Sequence, residues 1–297
     1  SFALQSMALR RATHAGSWYT DRPDQLDQQL TSWLAAAGPR VGAARAIVSP
    51  HAGYQYCGAV AGYAYKQIDP GSISRVILLG PSHHFSLRGC GLSTAAEFQT
   101  PLGNLRADQA TTAELRATGQ FEMVSLNRDE AEHSLEMQLP FLLAAMRPKS
   151  PRDFSIVPIM VGAIDPSVEA AYGAVLAPYL NDPATLFVVS SDFCHWGRRF
   201  EYTHYDKSAG RIWQSIERLD RQGMEAIETG RPDRFTQYLQ QTGNTICGRH
   251  PIGVMMCAAA RHGSGRFRFL NYAQSSKCND FSDSSVSYAA GGLFVNA

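Results

Sequence analysis

Three short apolar runs in this chain each end in a polar loop that carries histidine. Residues 46–49 run into Pro50-His51, and residues 75–79 into Gly80-Pro81-Ser82-His83-His84. Residues 185–189 run into Ser190-Ser191-Asp192-Phe193-Cys194-His195. Continuous apolar runs of this length read as strands buried on both faces. Between them lie helical patterns. Residues 23–37 put Leu26, Leu30, Trp33 and Leu34 on one face, with Pro23 suited to the first turn and Gly38 to the C-cap. Further helices are expected over 107–118, from a cap at Ser134 to about 146, over 165–180, twice or three times within 208–241, and over 252–261. Pro140 is expected to shorten or kink the stretch that starts at Ser134. Residues 154–161, 267–272 and 285–288 read as further strands.

Strands alternating with helices imply βαβ units and a mostly parallel or mixed sheet flanked by helices. No Pro/Ser-rich linker divides the chain, so its 297 residues read as one large α/β domain over 7–297. Residues 1–6 precede Met7 and read as a remnant ahead of the native start. In open sheets of this kind, ligands bind beyond the carboxyl ends of the strands. The three histidine-bearing loops all fall there.

Composition narrows the function. Lys plus Arg number 27 against 26 Asp plus Glu, so the chain lacks the broad basic face that nucleic acid or an anionic membrane needs. No apolar run approaches the ~18–20 residues that span a bilayer, and no secretory signal is visible. Six cysteines without a C-x-x-C pair read as reduced thiols of a cytoplasmic protein.

At the strand ends, His51, His83 and either Asp192 or His195 can meet around a metal, and neutral imidazole suits iron, copper, zinc or nickel. Cys247 lies in Asn244-Thr-Ile-Cys-Gly-Arg-His250, just ahead of a predicted helix. There a thiol's pKa can be lowered towards the metal-binding, nucleophilic thiolate. The other reading is a small buried hydrophobe. In Glu132-His133-Ser134-Leu135-Glu136, a helical spacing would let Glu136 orient His133 as a general acid or base; the alternative is simple capping by Ser134. Trp18 and Tyr56 supply aromatic walls, and Arg198 and Arg199 a pair able to hold an anion.

Seven motifs together resemble the Memo family, the mediator of cell motility proteins. They are His14-Ala-Gly-Ser-Trp-Tyr, Pro50-His-Ala-Gly-Tyr, Gly80-Pro-Ser-His-His, Glu132-His-Ser-Leu-Glu-Met-Gln-Leu-Pro, Ser190-Ser-Asp-Phe-Cys-His-Trp-Gly, the stretch around Cys247, and Leu270-Asn-Tyr-Ala-Gln-Ser-Ser. The resemblance implies a fold like that of class III non-haem iron (extradiol) dioxygenases. Those enzymes hold Fe(II) with two histidines and a carboxylate. Carried over, His51 and His83 match the two histidines, and Cys247 takes the carboxylate's place. Asp192, His195 and His133 then belong to the same pocket as candidate catalytic groups. A thiolate shifts preference towards copper or thiolate-bound iron and argues against ring cleavage.

The resemblance further implies an iron or copper ion with no organic cofactor, redox-type activity, and a role in cell motility signalling, cytoplasmic and also nuclear. The partners it implies are phosphotyrosine-containing receptor peptides and cytoskeletal signalling proteins, with Trp18, Tyr56, Arg199 and Phe200 as ligand-binding residues. Two alternatives stand beside the metal reading. One is a non-catalytic phosphopeptide-binding module, and the other a Cys247-dependent hydrolase.

Overall fold

A computed structural model describes residues 8–295. The segment ahead of Met7, Met7 itself and the last two residues lie outside them. Strand β1 (Leu9–Arg10) leads to helix α1 (Pro23–Ala36), which buries Leu26 and Leu30. Strand β2 (Ala43–Ser49) is followed by helix α2 (Tyr54–Tyr65), which no sequence period announced. The reason is physical: α2 is apolar nearly all round, and its Gly58 and Gly62 let it press against α1. A Cβ at Gly58 would stand 2.5 Å from the Trp33 ring.

Next come β3 (Arg75–Pro81), β4 (Cys90–Ser93), β5 (Glu97–Phe98), β6 (Leu105–Arg106) and α3 (Gln109–Ala117). They are followed by β7 (Phe121–Val124), α4 (Leu126–Ala131) and α5 (Leu139–Ala145). The chain continues through β8 (Ser155–Val161), α6 (Pro166–Asn181), β9 (Thr185–Ser190) and β10 (His195–Trp196). It closes with α7 (Ile212–Glu228), α8 (Pro232–Thr242), α9 (Arg249–His262), β11 (Arg266–Gln274) and β12 (Ser285–Val295).

Among the described residues, nine strands form one mixed sheet in the order β10-β12-β2-β9-β3-β8-β4-β7, with β11 on the other side of β12. Its centre, β2-β9-β3-β8, is parallel; β12 and β4 run antiparallel on either side. This is the α/β class expected, of the mixed kind. Strands β1, β5 and β6 make a separate small sheet.

The central strands are apolar on both faces. Ile77, Leu79, Phe187 and Val189 belong to one core, shared with α6, α7 and α9. Val76, Leu78, Leu186 and Val188 belong to the other, shared with α1, α2 and α5. A side-chain period of two makes one strand serve both cores. Strand β9 lies between β2 and β3, so three adjacent carboxyl ends deliver His51, Asp192 and His83 to one place.

The helix expected from Ser134 is not continuous. A single 3-10 turn, Glu136–Gln138, precedes α5, and Ser134 caps nothing. Its N–H donates to the Glu132 carboxylate and its hydroxyl to the Pro81 carbonyl. Pro140 sits in the first turn of α5, where its missing N–H costs nothing.

Candidate metal centre

His51 follows β2 directly, and its backbone N–H donates to Asp192 Oδ1 at 2.8 Å. Its ring Nδ1 lies 2.8 Å from Ser190 Oγ at the end of β9. The Ser190 hydroxyl has one proton, which goes to the Ser134 carbonyl at 2.7 Å; it also accepts from Gln138 Nε2 at 2.9 Å. Within this network Nδ1 of His51 must be the donor, which leaves Nε2 with a free lone pair. Burial and the neighbouring His83 press the ring's pKa well below the usual histidine value, so it is neutral.

His83 is built the same way from a different partner. Glu132 takes its backbone N–H at 2.6 Å and its Nδ1 at 2.9 Å. Burial would raise the Glu132 pKa, but the His83 ring and the His83 and Ser134 N–H groups outweigh it and pull the carboxyl below its usual range. A carboxylate on Nδ1 turns Nε2 outward as a more basic ligand, the arrangement metal-bound histidines ordinarily have.

His133 follows Glu132 in the chain and completes the group. Donor atoms of His51, His83 and His133 all lie within 4.8 Å of one another. The His133 ring stacks on His83 with centroids 4.6 Å apart and on Trp18 at 4.2 Å. Its Nδ1 is buried without a hydrogen-bond partner, 3.5 Å from Glu132 Oε1. Burial, with His51 beside it, pushes the ring's pKa down to about 3, so it too is neutral. Three converging imidazoles, among them an orphaned buried nitrogen, suit a metal ion better than they suit each other. Glu136, expected to orient His133, instead holds His14 Nδ1 at 2.7 Å, because the segment is not helical at 133–136.

Cys247 stands beside this trio. Its Sγ is 3.2 Å from His51 Nε2 and accepts the Asp192 N–H at 3.3 Å. The expected acidic thiol is not found. Burial and the Asp192 carboxylate push its pKa up, so without a metal it is a thiol. The Asp192 carboxyl itself is raised by burial and is engaged by the turn at His51. His195 Nδ1 donates to the Phe193 carbonyl at 2.9 Å, which frees its Nε2.

The residues expected to bind a ligand fall into two places. Trp18 and Tyr56 line one cleft of about 590 Å³, with Tyr54, Gln29 and Asp21. Phe200 instead packs edge-on to His195 at 5.2 Å, and the Arg199 guanidinium lies over the Phe200 ring at 4.5 Å. Neither Arg199 nor any other basic residue lines the cleft among the described residues. The supporting groups Ser190, Gln138, Glu132 and Arg10 were not singled out from the sequence. Ser190, a hydroxyl closing an apolar strand, was the one local signal available for them.

Fold and site together define a mixed α/β protein with a three-histidine cluster able to hold a metal at the carboxyl edge of its sheet. Residues 10–292 match the family model described as Memo-like protein, and the chain belongs to that family. It is 55% identical to Protein MEMO1 of Danio rerio over 294 residues, 98% of this chain and 99% of that one. Against Protein MEMO1 of Homo sapiens the identity is 52% over 295 residues, with 98% and 99% covered. A crystal structure of an uncharacterized Escherichia coli K12 protein aligns with 82% of this chain and 98% of its own, at 16% identity and a TM-score of 0.49.

Proposed function

We propose that this protein binds an iron or copper ion for redox-type chemistry, in a pocket related to that of the extradiol dioxygenases. His51 and His83 are the fixed donors, and His133 and Cys247 the candidates for the third. The observation that carries this reading is the convergence of three imidazoles within 4.8 Å, two of them with Nδ1 already committed to Ser190 and Glu132. When bound, such an ion supplies one-electron exchange. The chain's own part is to present the rings of His51 and His133 uncharged, to keep a thiol in reach of His51 Nε2, and to wall the site with Trp18. Ring cleavage is not part of the proposal, since the Asp192 carboxylate is engaged by the turn at His51. The setting we propose is cell motility signalling in the cytoplasm and nucleus. No helix among the described residues is long and apolar enough to cross a membrane.

The test is metal analysis of protein purified without oxygen, followed by calorimetric titration with Fe(II) and Cu(I). Wild-type protein should bind one ion, and His51→Ala should lose it. No binding by wild-type protein, or equal binding by His51→Ala, would sink the reading.

Two other readings keep an observation each. The 3.2 Å contact of Cys247 with His51 is that of a nucleophile and its base, which favours hydrolysis; a thiol-reactive acyl probe that fails to label Cys247 argues against it. The aromatic cleft at Trp18 and Tyr56 favours peptide binding to receptor or cytoskeletal partners. Its want of a basic lining residue weighs against phosphotyrosine, which calorimetry with matched phosphorylated and unphosphorylated peptides decides.

A further inference from the structure

We propose that Arg10 is a positioning residue of the metal centre, holding the His133 ring against His51 and His83 from outside the site. The inference rests on the metal-binding reading above.

Arg10 is 1% exposed, a placement an arginine tolerates only when its charge and donors are met. All five of its side-chain N–H groups have acceptors. Nε donates to Asp129 Oδ1 at 3.0 Å. Nη1 donates to the Arg11 carbonyl at 2.8 Å and to Glu136 Oε2 at 2.5 Å. Nη2 donates to the carbonyls of Asp129 at 2.9 Å and Glu132 at 2.8 Å. Four of these five acceptors belong to residues 129–136, the segment that carries Glu132 and His133.

Two lines run from Arg10 to the His133 ring. The first is through the backbone: the Glu132 carbonyl that Nη2 holds is half of the peptide bond to His133. The second is through Glu136. Its Oε1 accepts from the His14 N–H at 2.9 Å and the Tyr19 hydroxyl at 2.9 Å, while Oε2 takes His14 Nδ1 at 2.7 Å. That fixes the turn bearing Trp18, whose ring lies on His133. His51 and His83 hang from strand ends, but His133 hangs from a segment with no regular secondary structure at that point. Arg10 supplies the rigidity that a strand end supplies elsewhere. Lysine cannot replace it, because a point charge with three donors does not span five acceptors.

The test uses the full chain and Co(II), whose visible absorption reports ligand number. Affinity and spectrum are measured for wild type, Arg10→Lys, His133→Ala and the double variant. Arg10→Lys should weaken binding about tenfold, the usual effect of losing a group behind a metal ligand. Its spectrum should change as that of His133→Ala does. The double variant should match His133→Ala within about a factor of two, since Arg10 acts through that ring.

Wild-type affinity in Arg10→Lys, or effects that multiply in the double variant, would overturn the proposal. If Arg10→Lys does not melt cooperatively, Asp129→Asn enters the same cycle under the same criteria. If wild-type protein binds no metal, the metal reading itself fails. The positioning claim is then decided by 15N-histidine NMR of the metal-free protein. A His133 ring resonance that moves in Arg10→Lys supports it, and an unmoved one overturns it.

Discussion

Cys247 Sγ lies 3.2 Å from His51 Nε2, while the opposite nitrogen of the same ring lies 2.8 Å from Ser190 Oγ. One imidazole thus joins a strand-end hydroxyl to a thiol. The hydroxyl dictates the tautomer, the tautomer frees Nε2, and the thiol proton is what Nε2 accepts until a metal replaces it.

Cys247 should therefore report on the metal. In metal-free protein its alkylation by iodoacetamide is expected to be slow at pH 7, because burial and the Asp192 carboxylate hold the thiol protonated. The rate should climb roughly tenfold per pH unit as thiolate forms. Loading with Cu(I), which prefers thiolate, should suppress it at least about tenfold. Peptide mass spectrometry reads the label; unchanged labelling on loading would place Cys247 outside the sphere.

Ser190→Ala removes no ligand but releases the His51 tautomer. Metal affinity should fall roughly 10- to 100-fold, as for other groups behind a metal-bound histidine. Thermal stability should drop by only about 1–3 kcal/mol, since Gln138 Nε2 keeps its bond to the Pro50 carbonyl. An affinity equal to wild type would show that Ser190 does not set the tautomer.

Acid should destabilise the metal-free protein early. His133 is pushed down to about 3 against an ordinary 6.5, so between those values the unfolded chain binds a proton that the folded chain refuses. Its contribution is complete above about pH 6.5 and drains as the pH falls, by at most ~1.4 kcal/mol per pH unit. His51, also depressed, acts in the same direction. Glu132 joins only below its ordinary 4.5, because its folded carboxyl titrates lower still. Urea unfolding at pH 7.5, 6 and 5 should show a flatter slope for His133→Gln than for wild type; identical slopes would refute the assignment.

Gly248 is where the Cys247 loop touches the end of β9. A Cβ there would lie 2.3 Å from Ser191 Cβ and 2.5 Å from the Ser190 carbonyl oxygen. Gly248→Ala should cost about 1–3 kcal/mol and push Cys247 away from His51. The readouts are the melting temperature and the pH dependence of Cys247 alkylation, and a variant unchanged in both contradicts the packing.

Much of the frame was legible because it is local. The runs at 75–79, 154–161 and 185–189 are too apolar and β-branched to be anything but buried strands, and each is one. The histidines beyond 46–49, 75–79 and 185–189 were legible for the same reason. Helix α2 was not, since an element buried nearly all round shows no period, and its two glycines disguise it further. The segment from Ser134 misled because its polar groups bond to distant partners, Pro81 and Glu132, rather than along a helix.

The sequence alone determined the α/β class, the strand-end histidines and the thiol at 247, because alternation and turn chemistry act over a few residues. Only the tertiary structure decided which groups meet. Placing β9 between β2 and β3 brings His51, Asp192 and His83 together. Burying Arg10 against Asp129 and Glu136 brings up His133 from more than a hundred residues along the chain. It also decided protonation: Cys247 is held as a thiol and His133 as a neutral base by burial and by charges that lie nowhere near them in the chain. Desolvation and Coulomb energy depend on distance in space, which a residue's neighbours in sequence do not record.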